Sequence, residues 1–348
     1  MKKTLIVFSL LTLIISCKNE EHSKQLSSSS VQKKENTSSN TNNLSILSGT
    51  QTVPVNTPAP VETGIYQDAD STYHLKYILE VGQVYSFNSK EVSTQTVTFR
   101  DKSQSMTQES YDPVSFTVLD FKDGKYTLQV KMGGKKVISK AEGQQHTFDT
   151  NGKKPADQNQ ARMWKIYKAI SEVAFTMEMD IYGNVINITG MDAIYSKAKA
   201  SLNGDLKGKE LDEFVTAFKQ GLNPQSFKAQ FEGSIMKFPA KGLKVGEKWN
   251  NNPAMKNQGY NQLVKVGENT TEIKLVGTIP SQSESKVIEG ITYKLSFKGN
   301  QSGKVTIDNK SGWVSKASFN ITTTETKTAR KGEESEQVIQ KMVNNTYI

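Results

Sequence analysis

Side chains able to do chemistry are sparse in this 348-residue sequence. Its one cysteine, Cys17, follows Leu13-Ile14-Ile15-Ser16 at the end of an apolar run that opens with Lys2 and Lys3. A basic start, about a dozen apolar residues and a small residue ahead of the cleavage point make a secretory signal. A thiol at the new amino terminus is placed to accept lipid, and as the only cysteine it leaves the mature chain without a disulfide. His22, His74 and His146 stand far apart, and no Gly-x-Ser-x-Gly elbow offers a hydroxyl for a triad. No His or Cys pair has metal-ligand spacing, and no Asp-rich stretch has the calcium pattern. Gly133-Gly134-Lys135-Lys136 lacks the rest of a phosphate loop and reads as a basic turn. Asp120 with Asp123, and Glu210 with Asp212 and Glu213, are better explained as turn residues and a solvated helix start than as catalytic pairs. The expectation is a protein that is not an enzyme, with no catalytic residue, no cofactor and no metal.

The stretch Leu13 to Cys17 resembles the lipobox of bacterial lipoproteins, in which cleavage precedes a cysteine carrying diacylglycerol. The resemblance implies a signal peptide over residues 1–16 and an acylated Cys17, with palmitate among its chains. Three acyl chains at about 0.8 kcal/mol per buried CH₂ anchor a protein firmly. The run from Leu5 to Ile15 is too short to span a bilayer, which needs roughly 20 residues. Lys18-Asn19-Glu20-Glu21 is similar to the export signal of surface lipoproteins in the Bacteroidota, and it reads equally well as solvated linker charge. An outer-membrane, lipid-anchored location follows, facing the periplasm or the cell surface.

Residues 17–62 are rich in Ser, Asn, Thr and Gln, with Pro54, Pro58 and Pro60 near the end. Such a stretch buries too little apolar surface to offset its ordering entropy, so it reads as a disordered linker. At about 45 residues its coil reach is on the order of 35 to 40 Å.

Beyond it, strands are easier to see than helices. Tyr73 to Leu79 alternates apolar and polar, and Val84 begins a long polar-alternating strand that runs to Phe99. Val114 to Leu119 and Lys125 to Met132 flank Asp123-Gly124, the strongest hairpin signal in the chain. Between Pro155 and Phe231 the period changes. Met163, Ile166, Tyr167 and Ile170 fall at helical spacing behind Asp157 as a cap. Residues 191–202 and 211–222 read as two further helices, the latter with Leu211, Phe214, Val215 and Phe218 on one stripe. Strands then return, and Leu243-Lys-Val-Gly-Glu-Lys-Trp249 echoes Leu79-Glu-Val-Gly-Gln-Val-Tyr85. Asp308, Gly312 and Val314 likewise echo Asp180, Gly183 and Val185. These gapped matches fit an internal duplication, and they fit two independent uses of common strand-turn grammar. The expected fold is α+β and mainly β. It is an antiparallel curved sheet or open half-barrel with a central helical insert, over residues 63–348, with candidate halves 63–232 and 233–348.

Leu-x-Val-Gly-x-x-Tyr, Asp-Gly-x-Tyr-x-Leu-x-Val, the glycines at 183 and 190, and a second Leu-x-Val-Gly-x-x-Trp together resemble an uncharacterised family of Bacteroidota lipoproteins, a domain of unknown function. The resemblance covers nearly all of Tyr73 to Ile348 and implies location and domain extent, with no activity attached.

Formal net charge is +9, and removing the signal leaves about +7, with the lysines scattered and arginine only at Arg100, Arg162 and Arg330. Nucleic acid would favour clustered Arg and Lys among aromatic platforms, and is not an expected partner. Two function classes remain. One is a non-catalytic binding module for an apolar or amphiphilic ligand, with Trp164, Phe175, Met177, Met179 and Phe218 as candidate lining residues that would serve equally as dry core. The other is an envelope structural or surface adhesion lipoprotein that binds glycans or envelope proteins.

Overall fold

The computed structural model describes residues 62–250 and 259–348. The signal peptide, Cys17 and the linker up to residue 61 lie outside the described residues. In chain order the elements are β1 (Ile65–Gln67), β2 (Tyr73–Leu75), β3 (Val84–Phe99), β4 (Lys102–Lys122), β5 (Lys125–Met132), β6 (Lys136–Ala141), β7 (Gln144–Asp149) and α1 (Gln158–Ile170). Then follow β8 (Ala174–Asp180), β9 (Val185–Thr189), α2 (Met191–Leu202), α3 (Gly208–Gly221) and α4 (Pro224–Ser234). The last are β10 (Lys248–Trp249), β11 (Gly259–Val266), β12 (Thr270–Ile288), β13 (Ile291–Asp308), β14 (Val314–Lys331) and β15 (Glu334–Tyr347). The fold is mainly β, with an open antiparallel sheet and helices in the middle, as the alternation implied. Among the described residues no helix is long and apolar enough to cross a membrane.

The main sheet runs β10-β11-β12-β13-β14-β15-β3-β4-β5-β8-β9, and β6 and β7 branch from β4. The branch has a local cause. β4 pairs with β6 through Met106 to Tyr111 and with β5 from Val114 onward. Pro113 sits at the fork, where its missing N–H interrupts no ladder. Its carbonyl accepts from the Gly133 N–H at 2.7 Å. The Gly133-Gly134-Lys135 stretch is an irregular connection rather than the expected basic turn, because Lys136 already opens β6, and it leads into a β6–β7 hairpin with no signal in the residue order. A fourth helix was also missed. Asn223 caps α4 through a reciprocal bond with Ser226, and Pro224 starts its first turn.

The two similar stretches are alike bond for bond. Gly82 N–H donates to Val118 O at 2.8 Å, and Gly246 N–H donates to Leu263 O at 2.7 Å. Val118 N–H returns to Gln83 O, and Leu263 N–H returns to Glu247 O. The next ladder slips between Val118 and Asp120 in one stretch and between Leu263 and Lys265 in the other. The closing turns correspond, the second being one residue longer. Asp180 N–H bonds Asn184 O and Asp308 N–H bonds Trp313 O, each beside a register shift where Met179 meets Val185 and Ile307 meets Val314. Equal bulges at equal places go beyond generic strand grammar: the same arrangement of turn, bulge and strand occurs twice in the fold. The first copy is interrupted by the β6–β7 hairpin and α1. β15 joins the copies by pairing with both β14 and β3.

One face of the sheet carries the core, including Phe116, Leu128, Met177, Ile273, Val305 and Ile307, all 2% exposed or less. α4 closes it by setting Phe231 against Phe116 and Phe175. Trp313 lies in the middle, its ring centroid 4.8 Å from that of Phe87, 5.2 Å from Tyr85, 5.3 Å from Phe116 and 5.9 Å from Tyr77. The segment before β3 is threaded through the base of the sheet. Tyr77 N–H donates to Ile181 O in one closing turn, and Ile78 N–H donates to Ser311 O in the other.

Gly82 and Gly246 have φ of +87° and +94°, and a Cβ on either would meet nothing within 4 Å. The cost of substitution is therefore backbone conformation alone. Gly82→Ala and Gly246→Ala are each expected to destabilise by about 1–2 kcal/mol, and by the same amount within error, as measured by urea denaturation. Unequal costs would contradict the equivalence of the two turns.

Candidate functional site

In β3, β4 and β12 to β15 the strands continue well past the helices. Because side chains alternate and antiparallel partners share a face, the register assigns each residue of this extension. Phe87, Val305 and Ala317 define the inner, core-bearing face. Following it outward gives Gln95, Val97 and Phe99 on β3, and Met342, Gln340 and Val338 on β15. On β14 it gives Glu325, Lys327 and Ala329, and on β13 Phe297, Leu295 and Tyr293. This part of the inner face has two apolar stripes separated by the Lys327–Glu325 ion pair at 2.7 Å. Tyr293 is 43% exposed, Phe99 39% and Leu295 36%, while Val97, Phe297, Val338 and Met342 are half-buried. From the Gln95–Met342 pair to the Phe99–Val338 pair the stripe extends about 13 Å at ~3.3 Å per residue. One leaflet's hydrocarbon is about 15 Å deep, half of the ~30 Å core.

Where the packed core ends and this open face begins, polar groups gather. Glu91 pairs across the strands with Ser110 and Thr346, and Ser93 with Asn344. Asp112 accepts from Lys135 Nζ at 2.5 Å. The same ammonium lies 5.7 Å from the ring centroid of Tyr167 on α1. Asn344 donates to Met342 Sδ at 3.7 Å, and its Oδ1 is buried without a partner among the described residues. Burial, and secondarily the Asp112 charge, raises the Glu91 carboxyl above the ordinary range, with Lys135 acting the other way. Burial, and then Asp112, also raises the Tyr167 phenol. An ammonium–carboxylate pair and a carboxyl that favours its proton can together hold a polar head group, with apolar surface running away from it.

The residues singled out in the sequence do not converge there. Phe175, Met177 and Met179 form the buried side of β8, with exposures of 2%, 0% and 0%. Trp164 is on α1, its indole N–H donating to Asp149 O at 3.0 Å and Lys168 Nζ 4.7 Å above its ring. Phe218 is on α3, stacked on Phe214 at 5.6 Å. Two shallow depressions, one along α3 at Asp212 and Thr216 and one at the strand tips around Arg100 and Glu336, touch none of the five. Among the described residues no His, Cys, Asp and Glu group is arranged to hold a metal. Sequence reasoning missed the inner stripe. Its only signal was the spacing of Val97 and Phe99, and of Tyr293, Leu295 and Phe297, within otherwise polar strands.

The sign of the Glu91 effect follows from its raised carboxyl. The folded chain holds that proton more tightly than the unfolded chain, which favours folding in acid and is lost as pH rises through the folded value. Glu91→Gln keeps the site neutral. Its melting temperature is expected to exceed the parent's near neutral pH, with the difference shrinking as pH falls into the carboxylate range. A pH-independent difference in calorimetry would contradict this.

Comparison with known proteins adds a family. No curated protein matches the chain. Among solved structures it overlaps the loop L8 deletion mutant of OmpT from Vibrio cholerae at 8% identity, over 77% of this chain and 100% of that one, with a TM-score of 0.18. An outer membrane channel from Pseudomonas putida F1 overlaps at 8% identity, over 78% and 97%, with a TM-score of 0.20. Salmonella typhi OmpF in complex with daunomycin overlaps at 6% identity, over 78% and 99%, with a TM-score of 0.19. Scores at this level do not define a common fold. A family model, in contrast, matches residues 123–314, from the β4–β5 turn through the helices and the second copy of the repeated unit to the start of β14. That match takes in more than half of the sequence, and the chain belongs to the family of unknown function DUF6263.

Proposed function

We propose that this protein is an outer-membrane lipoprotein, anchored through Cys17, whose open inner sheet face binds an apolar or amphiphilic ligand without catalysis. The observation that carries the reading is the pair of apolar stripes left uncovered beyond the helices, at Val97, Phe99, Val338, Leu295 and Phe297. Exposed apolar area costs roughly 25 cal/mol per Å², and a contiguous exposed patch marks a surface that something covers. The polar group at Glu91, Asp112 and Lys135 supplies the other end of an amphiphile's recognition. The lipobox and the linker support the address, since a tethered body with an open apolar face can reach lipid or lipid-modified partners at the membrane. An envelope protein laid on the same stripes is the competing occupant.

The test uses the full chain carrying Cys17→Ala, purified without detergent, extracted with organic solvent and analysed by mass spectrometry. Near-stoichiometric lipid is expected. Leu295→Lys with Val338→Lys, on a side chain already half open to water, is expected to reduce recovery by about tenfold, or 1.4 kcal/mol, with little change in melting temperature. Absence of bound lipid, together with no binding of a fluorescent fatty acid, would overturn the reading.

A further inference from the structure

The opposite, outer face of the sheet has a different chemistry. The register places Lys248 on β10, Lys265 on β11, Lys274 on β12, Lys298 on β13 and Lys341 on β15 all on this face. Each is exposed. Carboxylates of the same strands are few there. Glu272 is ion-paired to Lys304 at 2.8 Å, and Asp308 is turned into its own turn, where it accepts from Ser311. Lys265, Lys274, Lys298 and Lys341 have no carboxylate within ion-pair distance among the described residues. On the inner face, in contrast, Lys327 pairs with Glu325. The excess of positive charge is thus sorted onto one side of a sheet.

Two details argue against this being ordinary solvation. Lys274 and Lys304 are directly opposite each other across β12 and β13, a like-charge pairing that disfavours the fold. Lys298 and Lys341 flank Thr324 on adjacent strands, which sets them two strand spacings apart, about 10 Å. Around these cations the face is hydroxyl and amide. Thr322, Thr324 and Thr326 on β14, Thr94 and Thr96 on β3 and Asn300 on β13 form hydroxyl and amide rows, with Lys341, Val343 and Ile339 of β15 between them.

We infer that this outer face binds an acidic polysaccharide. The exposed ammonium groups meet the carboxylates or sulfates of the chain, and the threonine rows meet its hydroxyls. Charge complementarity carries the choice of a polyanion. One observation favours sugar over single-stranded nucleic acid. Tyr260, an aromatic of this face, is already covered by Lys248 with Nζ 4.1 Å from the ring centroid, which removes a stacking platform that single-stranded nucleic acid would use. The surface is independent of the inner face and of any ligand held there.

The experiment measures binding of alginate, neutral dextran, single-stranded DNA and phosphatidylglycerol vesicles to the full chain carrying Cys17→Ala. It is repeated with Lys274→Glu/Lys298→Glu/Lys341→Glu and with a charge-matched control, Lys153→Glu/Lys207→Glu/Lys241→Glu, taken from exposed positions outside the sheet. Alginate is expected to bind, weakening steeply with added salt, and dextran is not. The sheet variant is expected to lose about tenfold or more in affinity and the control less than about twofold, with both retaining the parent's circular dichroism. Failure to bind alginate, equal losses in the two variants, or tighter binding of DNA or vesicles than of alginate would each overturn the assignment. If the sheet variant fails to fold, Lys298→Gln/Lys341→Gln replaces it, and undiminished alginate binding by that chain would overturn the assignment too.

Discussion

The contact on which everything else rests is the packing of Trp313 among Tyr77, Tyr85, Phe87 and Phe116. Trp313 belongs to the second copy of the repeated unit, its neighbours on β3 and β4 to the first, and Tyr77 to the segment that precedes both. Each aromatic pair of this kind adds about 0.5–1.5 kcal/mol beyond the area it buries. The phenol of Tyr77 is fully enclosed and donates to Met236 O at 2.8 Å, and burial raises its pKa far above the ordinary range. Tyr126 completes the joint, donating to Tyr77 O at 3.0 Å and accepting from Leu79 N–H at 3.1 Å. The ring cluster is where the buried faces of the two copies meet.

That joint explains why the sheet can be long and open. The repeated units supply a packed base, and β15, paired on both sides, splices them into one ladder. Hydrogen bonding then carries β3, β4 and β12 to β15 outward past the helices with no second layer of the described residues over them. Such an extension must be amphipathic rather than apolar. Its inner face mixes Val, Leu and Phe with Gln and a Lys–Glu pair, and its outer face is mainly threonine and lysine, with Ile339 and Val343 among them. The two faces of one set of strands therefore offer two chemistries, and both proposed surfaces derive from the same alternation.

Much of this could be read from residue order, and the omissions have physical causes. The alternation of β3, the Asp123-Gly124 turn and the Asp157 cap are local signals, and local signals survive in a linear reading. The length of β4 and β12 was hidden because Pro113 and Pro280 normally end strands. In the fold one lies at a fork and the other at a register shift between Ile279 and Gln282, where no ladder N–H is required. Capping by Asn223 and Ser226 was visible in principle but was absorbed into the preceding helix. The echo of Leu79–Tyr85 in Leu243–Trp249 was visible too, yet only the paired bulges distinguish repetition from coincidence. Trp164, Phe175, Met177, Met179 and Phe218 were legible as apolar, but composition does not tell a dry interior from a lined surface. The lysines looked scattered because Lys274 and Lys304, and likewise Lys298 and Lys341, become neighbours only across strands.

The central claim, that one aromatic joint holds both copies as a single cooperative body, is tested most directly by hydrogen exchange on Trp313→Ala. Removing a buried tryptophan costs about 3–5 kcal/mol, enough to expose whatever depends on it. The expected result is loss of protection together in β4 and β5 of the first copy and in β12 and β13 of the second. Loss confined to β13 and β14, with β4 and β5 as protected as in the parent, would mean that the copies stand independently and would contradict the account.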